Sequence, residues 1–273
     1  MRKAIYIIGV VALLLSCSHI DEDDRLIKVA IDNISESEDS DDDSSQPEVI
    51  VRNVLLEDFT GQRCSNCPDG ANIINQMEEA FGERFIPVGI YWEPIAVPNG
   101  LATETGKEYY SHWNIEGQPA GRIARNGSIR YIPNDWIEDV RTELQRPANI
   151  AMQLDATLDG QQIDINITET SPQNDVSGSL QVWIVEDGIV ATQIMPNGTA
   201  NKNYVHNHVF RTAVNGTWGE DITIAAGSTL TQNYQQTVDS QWDTTNLSVV
   251  AFVYNDQGVE QAVRTQVSNT QNK

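Results

Sequence analysis

The sequence predicts an α/β domain followed by an antiparallel all-β domain. Strand-like runs alternate with helical patterns between residues 49 and 147, whereas only short alternating runs fill residues 148–273. A strongly acidic stretch separates this folded part from an apolar N-terminal run. The expected organisation is therefore a signal peptide (1–16), an acidic tether (17–48) and two folded domains (49–147 and 148–273).

The N-terminal segment has the composition of a secretory signal. Arg2 and Lys3 precede an apolar run, Ala4–Leu15, which is too short to span a bilayer comfortably. The segment from Leu14 to Cys17 resembles the lipobox of bacterial lipoproteins. The resemblance implies cleavage before Cys17 and acyl chains on that residue as the membrane anchor. The alternative is a plain signal peptide followed by an incidental cysteine.

The acidic stretch accounts for much of the charge. The chain has 17 basic and 39 acidic residues, for a net charge of −22. Residues 17–48 hold many of the acids and few large apolar side chains, which predicts a disordered tether. Asp21–Asp24 resemble an acidic signal that sends some lipoproteins to the cell surface, although a solubilising spacer has the same composition. The acidity predicts that the protein repels nucleic acid and anionic lipid.

The α/β segment contains strand and helix patterns in alternation. The predicted strands are 49–60, 86–92 and a hairpin over 121–132, with Asn126-Gly127 as its tight turn. The predicted helices are 67–85, 101–113 and a last one that opens at Pro133 and ends before Pro147.

The β-rich segment lacks helical periodicity. Its alternating runs are separated by turn signals such as Asp159-Gly160 and Asn215-Gly216, which is typical of an antiparallel sandwich. The predicted strands are 151–158, 162–168, 179–187, 204–213, 221–225, 229–238, 247–255 and 259–267.

Two cysteines remain when Cys17 is assigned to the lipid anchor. Cys64 and Cys67 then form a closed pair in an oxidising envelope compartment. Cys64 lies just before a predicted helix, whose positive dipole end favours the thiolate of a nucleophile, and Cys67 is spaced to resolve a mixed disulfide. A zinc site would need further ligands, so we expect no metal and no cofactor.

The residues around this pair resemble the thioredoxin superfamily over roughly residues 50–147. Asp58 stands six residues before Cys64, where thioredoxins keep a buried acid that handles the proton of the resolving cysteine. Pro119 falls where thioredoxins carry a cis-proline that faces the disulfide. The resemblance implies a thioredoxin-like fold for the first domain. Arg63 in place of tryptophan and Ser65-Asn66 in place of Gly-Pro depart from the pattern, so the redox potential cannot be carried over.

A fuller resemblance is to the outer membrane protein 28-related lipoproteins of Gram-negative envelopes. The shared pattern includes DFTG-x-x-C-x-x-CP at Asp58–Pro68, a G-x-P segment at Gly117–Pro119, and YVHNHVFR at Tyr204–Arg211. It implies an outer-membrane or surface lipoprotein, facing either the periplasm or the exterior, and implies no established substrate.

Two functional hypotheses follow, and the sequence leaves open whether the protein is an enzyme. In the first, Cys64 attacks a protein disulfide, Cys67 resolves it, Asp58 accepts the proton and Pro119 docks the peptide. In the second, the protein is a surface binding or adhesion lipoprotein whose Ig-like β-sandwich binds the partner, and the cysteines form only a structural disulfide.

Two histidines in the β-rich segment raise a further alternative. His206 and His208 occupy alternate positions of a predicted strand and are expected on one face, where a metal site is the less favoured interpretation.

Overall fold

The structure, a computed structural model, describes residues 50–93, 97 and 100–270. The predicted signal peptide, the lipid anchor at Cys17 and the acidic tether lie outside the described residues. Glu48–Lys273 cluster into one compact unit. Among the helices that are described, none combines the length and the apolar character needed to cross a bilayer.

The first part of the chain alternates strands with helices. In order these are β1 (Val54–Thr60), α1 (Cys67–Phe81), a 3₁₀ turn (Gly82–Arg84), β2 (Phe85–Tyr91), α2 (Glu104–His112), β3 (Ala120–Ile123) and α3 (Pro133–Leu144). Pro68 and Pro133 lie in the first turns of α1 and α3, where a missing N–H removes no helical hydrogen bond. Gly82, with φ of 57°, ends α1.

Strands dominate the rest of the described chain. They are β4 (Ala151–Asp159), β5 (Gln162–Ser171), β6 (Val176–Glu186), β7 (Ile189–Ile194), β8 (Ala200–His206), β9 (Val209–Ala213), β10 (Glu220–Ile224), β11 (Ser228–Thr237), β12 (Leu247–Asn255), β13 (Gly258–Gln266) and β14 (Ser268–Asn269). A 3₁₀ turn, Thr244–Asn246, precedes β12.

The largest sheet joins strands from both parts of the chain. Its order is β13-β12-β6-β9-β2-β1-β3, with β10 also pairing with β6. The two parts meet where β9 runs parallel to β2, at the register pair Gly89 and Val209. The backbone N–H of Gly89 also donates to the carbonyl oxygen of His208 at 2.7 Å. The division into two domains near residue 148 stays a prediction, because one sheet contains strands from either side of it.

A buried ion pair contributes to the contact between the two parts of the chain. Arg125 Nη2 is 2.9 Å from Glu57 Oε1, and both side chains are almost fully inaccessible to solvent. The guanidinium of Arg125 also lies 4.3 Å from the ring centroid of Tyr254 and 4.8 Å from that of Phe252, both on β12. Arg125 therefore connects β1 with the β-rich part of the chain.

Two apolar cores stabilise the fold. One lies between the large sheet and the helices, and it includes Ile74 and Met77 of α1 and Trp136 and Val140 of α3. The other lies between β6 and β12 of the large sheet and a second sheet of order β11-β5-β4-β14. β7 and β8 form a separate two-stranded hairpin.

The expected fold class is confirmed in its coarse form, since the described chain is mostly β, with few helices and several sheets. Some details of the sequence prediction are wrong. Of the predicted hairpin over 121–132, only β3 is a strand, and an isolated bridge joins Gly121 to Arg130. The predicted strand 204–213 is two strands, because the chain turns at Asn207–His208, where His208 has φ of 57°. The prediction also missed β7, which pairs with β8.

Candidate functional site

The two cysteines are joined by a disulfide at the start of α1. Cys64 lies in the loop after β1 and is half-buried, whereas Cys67 opens the helix and is only 3% exposed. The N–H of Cys67 donates to the carbonyl oxygen of Cys64 at 3.4 Å. An external sulfur can therefore reach Cys64 more readily than Cys67.

A carboxylate near this loop was missed by the sequence analysis. The backbone N–H of Arg63 donates to Glu93 Oε1, while the Arg63 side chain is exposed. Burial raises the pKa of Glu93, and the hydrogen bond and charge of Arg63 partly oppose that effect. Glu93 follows β2, and no local sequence pattern links it to the cysteines. Its negative charge offsets the positive charge expected from Arg63.

Pro119 lies against the first part of α1. The Gln118–Pro119 peptide bond is cis. A Cβ atom placed on Gly70 would lie only 3.2 Å from Pro119 Cβ, so the proline ring packs closely on the helix that begins at Cys67. The Gln118 side chain donates to the carbonyl oxygens of Trp92 at 2.8 Å and Thr60 at 3.0 Å. These bonds hold the segment before β3 beside the end of β1.

Asp58 is buried on β1, between Gly89 of β2 and Gly121 of β3. Its side chain is 5% exposed, and within the described residues no hydrogen-bond partner reaches Oδ1. Burial raises the pKa of Asp58 to about 7, although the charge of His208 lowers it. Asp58 and Cys67 line the same small cavity, of about 60 Å³. The site therefore contains a buried acid that exchanges its proton near neutral pH.

The hairpin formed by β7 and β8 packs on the cysteine loop. Gln193 Nε2 donates to the carbonyl oxygen of Cys64 at 2.8 Å, and the N–H of Ile194 donates to that of Gln62 at 2.8 Å. The Gln62 side chain in turn donates to the carbonyl oxygen of Thr192 at 2.9 Å. Residues far along the sequence thus fix the backbone around Cys64.

His206 and His208 face different partners. His206 Nδ1 lies 3.0 Å from the Tyr91 hydroxyl, and burial lowers the pKa of His206 to about 4. His208 instead lies 3.2 Å from both Glu78 and Asp187. Burial opposes protonation of His208, but these acidic partners outweigh it and raise its pKa. The expectation that both histidines lie on one strand is wrong, because β8 ends at His206 and the chain turns at residues 207–208, but both histidines line the same cavity.

Most of the predicted site residues come together. Cys64, Cys67, Asp58 and Pro119 gather at the start of α1 and the adjoining ends of β1 and β3, whereas Cys17 lies outside the described residues. The catalytic roles assigned to them stay predictions. Among the described residues, no cluster of histidine, cysteine and acidic side chains has the arrangement of a metal site.

Comparison with solved structures finds a shared fold. HBP35 of Porphyromonas gingivalis aligns with a TM-score of 0.65 at 17% identity, over 81% of this chain and 78% of that one. A domain of the outer membrane lipoprotein Omp28 from the same organism is 25% identical, over 45% of this chain and 90% of that one, with a TM-score of 0.34. Protein AGR_C_4864 from Agrobacterium tumefaciens gives a TM-score of 0.48 at 14% identity, over 82% and 97% of the two chains.

The family comparison gives the assignment. A search of the curated proteins finds no match. The family model described as outer membrane protein Omp28 matches residues 106–271, which is more than half of the chain and includes the whole β-rich part. The chain therefore belongs to the Omp28 family of outer membrane proteins.

Proposed function

We propose that this protein carries out thiol–disulfide exchange at Cys64 and Cys67, within a thioredoxin-like segment that runs from β1 to α3. One observation carries the proposal: Cys64 is the more accessible of the two cysteines, while Cys67 is buried beside a cavity that Asp58 also lines. A purely structural disulfide needs no buried acid behind it. A loop this short also gains little stability from closure.

The exchange reaction conserves its electrons and protons without any cofactor. In the reduced protein, the Cys64 thiolate attacks a protein disulfide, which forms a mixed disulfide and releases one substrate thiolate. Cys67 then gives its proton to the Asp58 carboxylate and attacks Cys64 Sγ. This step releases the second substrate thiolate and leaves the Cys64–Cys67 disulfide, so the substrate has gained two electrons. The reverse sequence oxidises a substrate dithiol.

Two further parts of the proposal concern docking and location. Pro119 packs on α1 and would form one wall of the surface that receives the peptide around the substrate cysteine. Acyl chains on Cys17 would hold the protein at the outer membrane, with the acidic tether as a spacer.

A second candidate function is partner binding at the cell surface by the β-rich part, proposed to be an Ig-like sandwich. The match to the family model supports it, because residues 106–271 lie entirely after the cysteine pair. The matched residues include β3, α3 and the β-rich part but neither Cys64 nor Cys67. The comparisons support this candidate more directly than they support exchange.

Trapping of mixed disulfides distinguishes the two candidates. In cells that produce Cys67→Ser, Cys64 has no resolving partner, so exchange predicts substrate proteins linked to Cys64 and released by reductant. The matched variant Cys64→Ser removes the nucleophile and should trap none. If neither variant traps a protein, and the double variant retains the wild-type phenotype, the exchange proposal fails and the binding candidate remains.

A further inference from the structure

The cavity behind Cys67 has walls from both parts of the chain. Asp58 of β1, Cys67 of α1 and Tyr91 of β2 line one side. Tyr204 and His206 of β8 line the other. The β7–β8 hairpin therefore does more than hold the Cys64 loop, since it also encloses the acid that serves Cys67.

The cavity has the size and the polar lining of a water site. Its volume of about 60 Å³ exceeds the space that one water molecule needs, and such a water requires two to four polar partners. Asp58, Tyr91 and Tyr204 line the cavity and carry side-chain oxygen atoms that can bind water. Asp58 Oδ1 is buried and has no hydrogen-bond partner within the described residues. A buried carboxyl oxygen in this position is costly unless water satisfies it.

Tyr91 and His206 contact each other in the wall of the cavity. The Tyr91 hydroxyl lies 3.0 Å from His206 Nδ1, and both side chains are almost fully buried. Their rings meet edge to face, with centroids 5.5 Å apart. This contact fixes the position of the Tyr91 oxygen beside the cavity.

We propose that β8 completes the redox site: the Tyr91–His206 pair positions a water in this cavity, and that water carries the proton of Asp58 to and from solvent. The inference rests on the proposed exchange reaction. Asp58 can accept the Cys67 proton during resolution only after its own proton has left through this water, so loss of the water slows the second thiolate release. The proton leaves through the water, while the electron pair of the broken bond between Cys64 and the substrate leaves on the substrate thiolate. Tyr91 and His206 are positioning residues in this scheme.

Other ionisable groups surround the proposed route of the proton from Asp58 to solvent. His208 also lines the cavity but is engaged by two acids, Glu78 and Asp187, and Arg264 also pairs with Asp187. Tyr110 of α2 donates its hydroxyl to the carbonyl oxygen of Thr60. The ionisable groups that face the cavity or its neighbours are Asp58, Glu78, Tyr91, Tyr110, Asp187, Tyr204, His206, His208 and Arg264.

A stopped-flow experiment on the reduced complete chain tests the inference. With a chromogenic aromatic disulfide as substrate, the first thiolate released reports attack by Cys64 and the second reports resolution by Cys67. Tyr91→Phe and His206→Leu should slow the second release about tenfold at neutral pH and leave the first within about twofold. His206→Gln retains a hydrogen-bonding group for Tyr91 and should restore most of the rate. The midpoint potential should stay unchanged in all three variants.

Matched controls are available elsewhere in the chain. Tyr234→Phe removes a hydroxyl in the second sheet, and His112→Gln removes an imidazole outside the cavity. Neither should change the second release. Equal slowing of both releases by Tyr91→Phe, or an unchanged second release in both Tyr91→Phe and His206→Leu, would overturn the inference while leaving exchange intact. If the wild-type chain never releases the second thiolate, the proposed function and the inference both fail.

Discussion

Gln193 of β7 donates a hydrogen bond from its side chain to the carbonyl oxygen of Cys64, with 2.8 Å between the two atoms. The same nitrogen lies 3.3 Å from the carbonyl oxygen of Gly61. Gln193 is only 3% exposed, so its contacts are shielded from water. A residue more than a hundred positions away thus holds the backbone next to the more accessible cysteine.

Replacing Gln193 should therefore weaken the fold and loosen the cysteine loop. Gln193→Leu removes a buried donor to the carbonyl oxygens of Gly61 and Cys64, which then keep only their backbone hydrogen bonds from Cys64 and Cys67, so we expect a loss of about 1–2 kcal/mol in the free energy of unfolding. Urea unfolding of the oxidised chain measures this loss. The control is Gln235→Leu, on the exposed face of β11, which should change stability by less than about 0.5 kcal/mol. Equal effects of the two variants would contradict the assigned role of Gln193.

The ionisation of Asp58 should be visible in the stability of the oxidised protein. Burial raises the folded-state pKa to about 7, above its unfolded value, so the folded chain binds this proton more tightly. The resulting stability is present at acid pH and is lost as the pH rises through about 7. Asp58→Asn should therefore stabilise the chain by up to about 4 kcal/mol at alkaline pH, with little gain near pH 4. Unfolding curves across this range provide the measurement, and a gain that does not depend on pH would argue against a raised pKa.

Glu169 provides a matched case away from the cysteines. It faces the core between the two sheets, and neither carboxylate oxygen has a hydrogen-bond partner within the described residues. Burial raises its pKa to about 7, so its charged form also costs stability above that pH. We expect Glu169→Gln to stabilise the chain by up to about 3 kcal/mol at alkaline pH. Unlike Asp58→Asn, it should leave the rate of Cys67 resolution unchanged, and a slower resolution would contradict this distinction.

The Glu57–Arg125 pair should matter for the junction in the large sheet. Glu57→Gln leaves the buried guanidinium without its anion, and we expect a loss of about 3–5 kcal/mol in the free energy of unfolding. The exposed pair Arg141–Glu138 is the control, since Glu138→Gln should cost less than about 1 kcal/mol. Chemical denaturation measures both. A loss of the same small size for Glu57→Gln would show that water or another anion compensates Arg125.

Local sequence patterns predicted the parts of the site that lie close together in the chain. The helix after Cys67 was recognisable because Pro68 and the spacing of Ile74 and Met77 indicate a helix start and one buried face. The fully buried β2 was likewise evident as a continuous apolar run, and β1 as an apolar run interrupted by Glu57 and Asp58.

Contacts between distant segments were not predictable in this way. The hairpin was missed because β8, Ala200–His206, is largely polar, and its pairing with β7 produces no hydrophobic alternation. At the turn, the N–H of His208 donates to Asp187, a contact between residues 21 positions apart that no local pattern indicates. Glu93 is likewise near Arg63 only because β1 and β2 are neighbours.

The midpoint potential of the Cys64–Cys67 pair tests the proposed function most directly. Thiol trapping of the complete chain across a graded redox buffer measures it, with Cys64→Ser as the control that cannot form the disulfide. Exchange predicts a potential between about −270 and −120 mV, the range from thioredoxin to a strong oxidant. A value below about −300 mV would mark a structural disulfide and would favour partner binding by the β-rich part as the function of this protein.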